Sequence, residues 1–277
     1  MTAAQTAPHR SVSQYSGFVR CGEAYRLEKV AKAPQTPAAW FHQGTAFHEA
    51  VELWEKSNRR YGPDQLAEWF ETAWQREHSK ALLVEPDTSK WLTGGKIKPA
   101  LDIERRREKG LAQVEAYFWY AQESEWKIWE PAEGVKAIEL PFELDLDGVR
   151  VLGFIDQVVE FPDGHLRVRD LKTGTKLPDT AFQLAMYDHA LDDMFGVRPG
   201  WGDYYMAKNT AATDPWNLQD YTREKMSRWI RGMDRAVKAG IFLPNPGDAC
   251  RTCTVRRFCD FNGQDARQFP VEEKTHE

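Results

Sequence analysis

Apolar residues recur every three or four positions along much of the first 120 residues, a spacing that predicts amphipathic helices. Tyr15, Phe18 and Val19 mark one from Ser11 to about Val30, with Cys21 on it. Phe47, Ala50, Val51 and Trp54 form the buried stripe of a second, from about Gln43 to Lys56, with His48 beside the stripe. A third is expected from Asp64 to about Lys80, Lys90 to Pro99 reads as a loop, and Leu111, Val114, Phe118 and Ala121 mark a fourth.

From Lys136 the period falls to two. Ile138, Leu140, Phe142, Leu144 and Leu146 alternate with polar or small residues, which predicts a strand. Asp147-Gly148 supplies a two-residue hairpin turn into a second strand, Val149 to Phe161, and Pro162-Asp163-Gly164 turns the chain into a third, His165 to Leu171. A helix from Thr180 to Phe195, a strand from Trp201 to Ala207 and a helix from Thr222 to Ala239 follow, the last with Met226, Trp229, Ile230, Met233 and Val237 inward. The order helix, three antiparallel strands, helix, strand, with further helices outside it, points to an α/β domain.

The chain has 277 residues, 42% of them apolar and including 11 Trp, which suits one folded globular domain. No window approaches the roughly 20 apolar residues of a bilayer span, and the opening MTAAQTAPHR has no apolar run of signal-peptide type. A cytoplasmic protein is therefore expected. No Gly-x4-Gly-Lys-Ser/Thr phosphate loop is present, which argues against an ATP-driven motor.

Candidate chemistry lies in two places. In the hairpin centred on Asp163, Asp156 and Asp170 are equidistant from the turn and should face each other, an arrangement that is repulsive unless a cation sits between them. Oxygen ligands of this kind suit Mg²⁺ or Mn²⁺. Strand alternation puts Lys172 on the face of Asp170, and an acid pair beside an ammonium fits phosphodiester hydrolysis, although an exposed Asp/Lys edge would read the same way. Elsewhere, Cys250, Cys253 and Cys259 follow a C-x2-C-x5-C spacing, and Cys21 completes a set of four. Four thiolates suit tetrahedral zinc or an iron-sulfur cluster, and ligand count does not separate the two.

These residues resemble the RecB-like branch of the PD-(D/E)XK nuclease superfamily, which includes CRISPR-associated adaptation exonucleases and phage exonucleases. Ser11 to Leu27, around Cys21, looks like that branch's first-cysteine helix. Gly44-Thr-Ala-Phe-His48, Gly153-Phe-Ile-Asp156, Asp170-Leu-Lys172 and Gln183-Leu-Ala-Met-Tyr187 are similar to its Gly-Thr-x-x-His, Gly-x-x-Asp, Asp/Glu-x-Lys and Gln-x3-Tyr motifs, in the family's order. Gly22 stands where the family often has Pro, and the stretch between His48 and Lys136 resembles nothing in it.

The resemblance implies a restriction-endonuclease-like core. Residues 1–263 would form one nuclease domain, with 11–30 and 240–263 joined by an iron-sulfur staple, 60–135 as a helical insertion and 264–277 as a polar tail. His48, Asp156, Asp170 and the Leu171 carbonyl would hold Mg²⁺ or Mn²⁺. Lys172 would act on the attacking water or the scissile phosphate, with Gln183 and Tyr187 positioning DNA or the lysine. Cys21, Cys250, Cys253 and Cys259 would hold a 4Fe-4S cluster. The implied activity is a DNA exonuclease without sequence preference, in recombination, repair or phage or CRISPR DNA processing, working alone or with a separate helicase, annealing protein or integration complex. A catalytically idle DNA-end-binding subunit and a zinc-stapled DNA-binding module are the competing classes.

With 37 Lys+Arg against 42 Asp+Glu, the net charge is −5, so binding to DNA would need local basic surface. Arg228, Arg231, Arg235 and Lys238 form one candidate stripe, and Lys96, Lys98, Arg105, Arg106, Arg107 and Lys109 form a second cluster.

Overall fold

The computed structural model describes residues 9–261 and 263–270. The opening segment through residue 8 and the end of the polar tail lie outside the described residues. Among the described residues, the seven α-helices and seven strands are α1 (Val12–Arg20), α2 (Gly22–Tyr25), α3 (Ala39–Lys56), α4 (Pro63–Val84), α5 (Pro99–Glu123), β1 (Lys127–Ile128), β2 (Ile138–Asp145), β3 (Arg150–Glu160), β4 (Leu166–Lys172), α6 (Phe182–Phe195), β5 (Trp201–Met206), β6 (Ala211–Ala212), β7 (Trp216–Asn217) and α7 (Arg223–Lys238). Among the described residues, no helix is long and apolar enough to cross a membrane.

The sheet is mixed, with order β1-β3-β4-β5-β6, β2 alongside β3, and β7 alongside β5. The β3–β4 pairing runs Gln157 with Arg169 and Val158 with Val168, so it is symmetric about Asp163 as expected. Strand β5 runs parallel to β4, which requires the crossover that α6 provides. Asp147 and Gly148 both take positive φ, 54° and 85°, matching the right-handed twist of the strands they join.

Two apolar cores sandwich this sheet. One packs β2, β3, Val168 and Tyr204 against α6 and α7; the other packs Leu171 and Tyr205 against α3, α4 and α5. Strand alternation does the sorting, because neighbours on a strand point to opposite faces. Helix α6 is buried on nearly every side from Leu184 to Leu191, as a crossover beneath other elements must be. The three two-residue strands β1, β6 and β7 are too short for a periodicity reading.

The expected continuous helix from Ser11 to Val30 is broken. Cys21 is extended (φ −167°, ψ 112°), separating α1 from α2, and Arg26–Val30 forms a π-helical turn. The break lets residues 242–245 pass close by. A Cβ at Gly22 would lie 2.8 Å from the backbone N and O of Leu243, so glycine there is a matter of close approach. Helices α4 and α5 extend beyond their apolar stripes, each opening on Pro at a first-turn position where its missing N–H costs nothing. The first residues of the expected polar tail are docked: Phe269 packs on Phe258, and Arg26 donates to the carbonyls of Phe269 and Pro270.

Candidate active site

The junction of α3, β2, β3, β4 and α6 brings the sequence motifs together. On α3, Gly44 lies one helical turn before His48 and beside Thr173, whose Oγ1 a Cβ at Gly44 would meet in ordinary contact at 3.5 Å. His48 then reaches Leu171 O through Nε2 (3.1 Å) and Glu139 Oε1 through Nδ1 (3.2 Å), with Asp156 Oδ2 3.6 Å from Nδ1. Asp156 Oδ2 accepts the Leu171 N–H at 2.9 Å.

A hydrogen-bonded circuit closes the other side. Lys172 Nζ lies 2.5 Å from Asp170 Oδ2 and donates to Gln183 Oε1 at 3.0 Å. Gln183 Nε2 donates to Tyr187 Oη at 2.8 Å, and the Tyr187 hydroxyl faces both Asp156 Oδ1 (3.2 Å) and Asp170 Oδ1 (3.3 Å). Gln183 and Tyr187 do this together because residues four apart share one face of α6. Gly153 contributes indirectly: a Cβ there would strike the Phe142 ring, which packs edge-on against Tyr187 at 6.1 Å.

The electrostatics follow from crowding acids in a dry place. Burial, and then Asp156, push the Asp170 carboxyl above its usual range; burial and Glu139 do the same to Asp156. Burial acts to lower the His48 pKa, but Asp156 and then Glu139 overcome it and hold it up at about 9. Burial and the two carboxylates raise Tyr187, so its hydroxyl remains a proton donor.

Glu139 is a site residue that sequence reasoning missed. Apolar alternation in β2 assigns it to the outward face, yet it forms a group with His48 and Asp156 whose ligand atoms all lie within 4.8 Å of one another. Its backbone is left-handed, φ +44°. The signal was in the first hairpin: Ile138 pairs with Gln157 and Leu140 with Ile155, symmetric about the Asp147-Gly148 turn, which sets Glu139 opposite Asp156. One nitrogen and two carboxylates at this spacing suit a divalent cation.

The two basic runs are neutralised only in part among the described residues. Arg231 pairs with Asp147, Lys238 with Asp234, Arg105 with Asp102 and Arg107 with Glu71.

The four cysteines, 21, 250, 253 and 259, are free thiols and line one small cavity of about 30 Å³ with Ala24, Leu27 and Val255. Backbone N–H groups of Asn245 and Gly247 point at Cys21 Sγ and Cys250 Sγ, each at 3.4 Å. Among the described residues, no three of the sulfurs fall within 4.8 Å of one another.

Comparison with known proteins agrees with this geometry. The Gene 69 protein of Mycobacterium phage D29 is 39% identical over 262 residues, covering 91% of this chain and 96% of that protein. The Gene 69 protein of Mycobacterium phage L5 is 37% identical over 280 residues, with the same coverage of each chain. The sequence pattern of the PD-(D/E)XK nuclease superfamily matches residues 9–260, with the acid pair, the lysine and the fold all inside the match, and the chain belongs to that superfamily.

Proposed function

We propose that this protein is a metal-dependent deoxyribonuclease of the RecB-like branch that hydrolyses phosphodiester bonds at DNA ends without sequence preference. The observation that carries the reading is the closed circuit of Lys172, Gln183, Tyr187, Asp156 and Asp170, with His48 and Glu139 completing the acidic side. Mg²⁺ or Mn²⁺ held by His48, Glu139, Asp156, Asp170 and the Leu171 carbonyl would polarise the scissile phosphate and lower the pKa of an attacking water. The remaining roles belong to the chain. Gln183 holds the Lys172 ammonium at the cluster, where its charge opposes that developing on the phosphate. The Tyr187 hydroxyl orients both carboxylates.

Three clefts of about 770, 800 and 530 Å³ meet at this site. Phe41 and Phe154, 50% and 58% exposed, stand on their walls, and such rings stack on bases of any sequence.

A 4Fe-4S cluster is the reading we favour for the cysteines. Four cysteines lining one cavity are what such a cluster needs, and the two N–H groups aimed at sulfur would tune it. Its part is structural, tying the α1–α2 junction to residues 245–259.

The deciding assay uses anaerobically purified protein, with Mg²⁺ or Mn²⁺, on single- and double-stranded DNA labelled at each end, with Lys172→Ala alongside. Metal-dependent shortening that the variant loses is expected. Intact brown protein that binds ends but cleaves nothing would replace the nuclease with an end-binding subunit, and colourless protein containing zinc would overturn the cluster.

A further inference from the structure

The helical insertion sends one side chain into the site. Arg106, on α5, lines the same cleft as Lys172 and Gln183. Its guanidinium is held by a buried polar relay that ends one residue beyond Lys172. Asp102, 1% exposed, sits 3.4 Å from Arg106 Nε and also accepts the Gly94 N–H. Arg106 Nη1 donates to Gln43 Oε1 (3.2 Å), Gln43 Nε2 to Gln113 Oε1 (2.6 Å), and Gln113 Nε2 to the Thr173 carbonyl (3.3 Å). On the other flank Gly94 makes room, since a Cβ there would collide with Arg106 Nη2.

Arg106 Nε is shielded from solvent beside Asp102, whereas Nη2 forms no hydrogen bond among the described residues. Asp102 serves two guanidiniums, those of Arg105 and Arg106, so one positive charge is left over. Lys109 registers that excess: burial, then Arg106, Arg105 and Lys208 hold its ammonium below the usual range. The cleft is also the basic one of the three. Arg20, Lys29, Arg106 and Lys172 line it against a single acid, Glu28, whereas the other two carry Glu143 with Asp156, and Glu49, Glu52, Glu139 with Asp156. A polyanion entering the site has one electrostatically favourable route.

We infer that Arg106 is a phosphate clamp that grips a backbone phosphodiester of the DNA strand beside the scissile bond, with Asp102, Gln43, Gln113 and Gly94 as its positioning residues. The inference rests on the nuclease reading above. The terminal Nη1 and Nη2 still carry N–H donors that a phosphate can meet end-on, and a relay tying the guanidinium to the end of β4 keeps clamp and Lys172 in register. It gives residues 60–135 a function: to carry the substrate arm of the site.

The test measures KM and kcat with Mg²⁺, and DNA affinity without divalent metal across a salt series, for wild type, Arg106→Gln, Arg106→Lys and Gly94→Ala. Arg106→Gln should raise KM and Kd by roughly tenfold, leave kcat within about twofold, and lower the slope of log affinity against log salt by about 0.7 on single strands. Arg106→Lys should restore the slope but only part of the affinity, because an ammonium lacks the fork. Gly94→Ala retains the arginine but takes its space and should show an intermediate loss; it carries the test if Arg106→Gln does not fold. An unchanged KM and salt slope in a folded variant of active enzyme would overturn the clamp alone. Wild type that neither binds nor cleaves DNA would overturn the nuclease reading with it. Oligonucleotides with phosphorylated or hydroxyl ends distinguish the phosphate: equal losses on both support the backbone diester, and a loss confined to phosphorylated ends would overturn it.

Discussion

Glu139 holds a backbone conformation that an L-residue adopts at a cost, and holds it beside Asp156 and His48. A left-handed non-glycine residue costs on the order of 1–2 kcal/mol, and like-charge crowding adds to it. Strain of this kind persists where the surrounding structure overdetermines it, here by β2–β3 pairing on both sides of the residue. Glu139→Gly should therefore stabilise the metal-free protein by about 1 kcal/mol while weakening Mg²⁺ binding and cleavage. A denaturant midpoint that falls, or activity unchanged at limiting Mg²⁺, would break the link between strain and function.

At the scale of elements, α3 carries His48 toward the sheet and His42 toward α4. His42 is buried, with its ring edge-on to Trp74, Trp91 and His78, and its Nδ1 has no hydrogen-bond partner. Burial, then His78, lower its pKa to about 4. In the unfolded chain the ring titrates near its ordinary 6.5, so below that pH the unfolded state takes up a proton that the folded state refuses. The contribution to stability is present above about 6.5 and is lost as pH falls toward 4. Urea midpoints at pH 7 and pH 5 should show that loss, and His42→Phe should remove part of it; an equal acid loss in the variant would place the sensitivity elsewhere. The same helix thus needs a neutral histidine in one core and a charge-prone one at the site, six residues apart in sequence, because its two faces meet an aromatic cluster and an acid cluster.

Across the whole molecule, the two ends of the chain are brought together around the cysteines. Asn245 donates to the Arg20 carbonyl, Thr254 to Glu28, and Arg26 to the carbonyls of Phe269 and Pro270, so the segments have contacts besides the thiols. The proposed centre, bound to these four thiols, would add its binding free energy to folding. Cys253→Ser should give colourless protein with a lower unfolding midpoint and faster proteolysis near residues 245–259, without collapse of the sheet. A soluble, fully active variant of undiminished stability would show the centre to be dispensable.

Much of the candidate site was legible along the chain. Asp156 and Asp170 could be paired from hairpin symmetry, Gln183 and Tyr187 from helical spacing, and the helix-strand order from a change of period, because each is a local rule carried by neighbouring residues. The register of β2 against β3 was equally legible, and Glu139 could have been found by applying it. Other features depend on segments distant in sequence meeting in space. The close approach of Leu243 to Gly22 accompanies the break at Cys21, and Arg106 acquires its setting from Gln43, Gly94 and Asp102, which no periodicity links. The sequence by itself determined the elements, the hairpin registers and the identity of the acids, since those follow from short-range geometry. Only the tertiary structure decided that His48 reaches those acids, which basic residue faces the cleft and how the first helix is cut, since these are set by burial and close approach between elements that the chain order does not bring together.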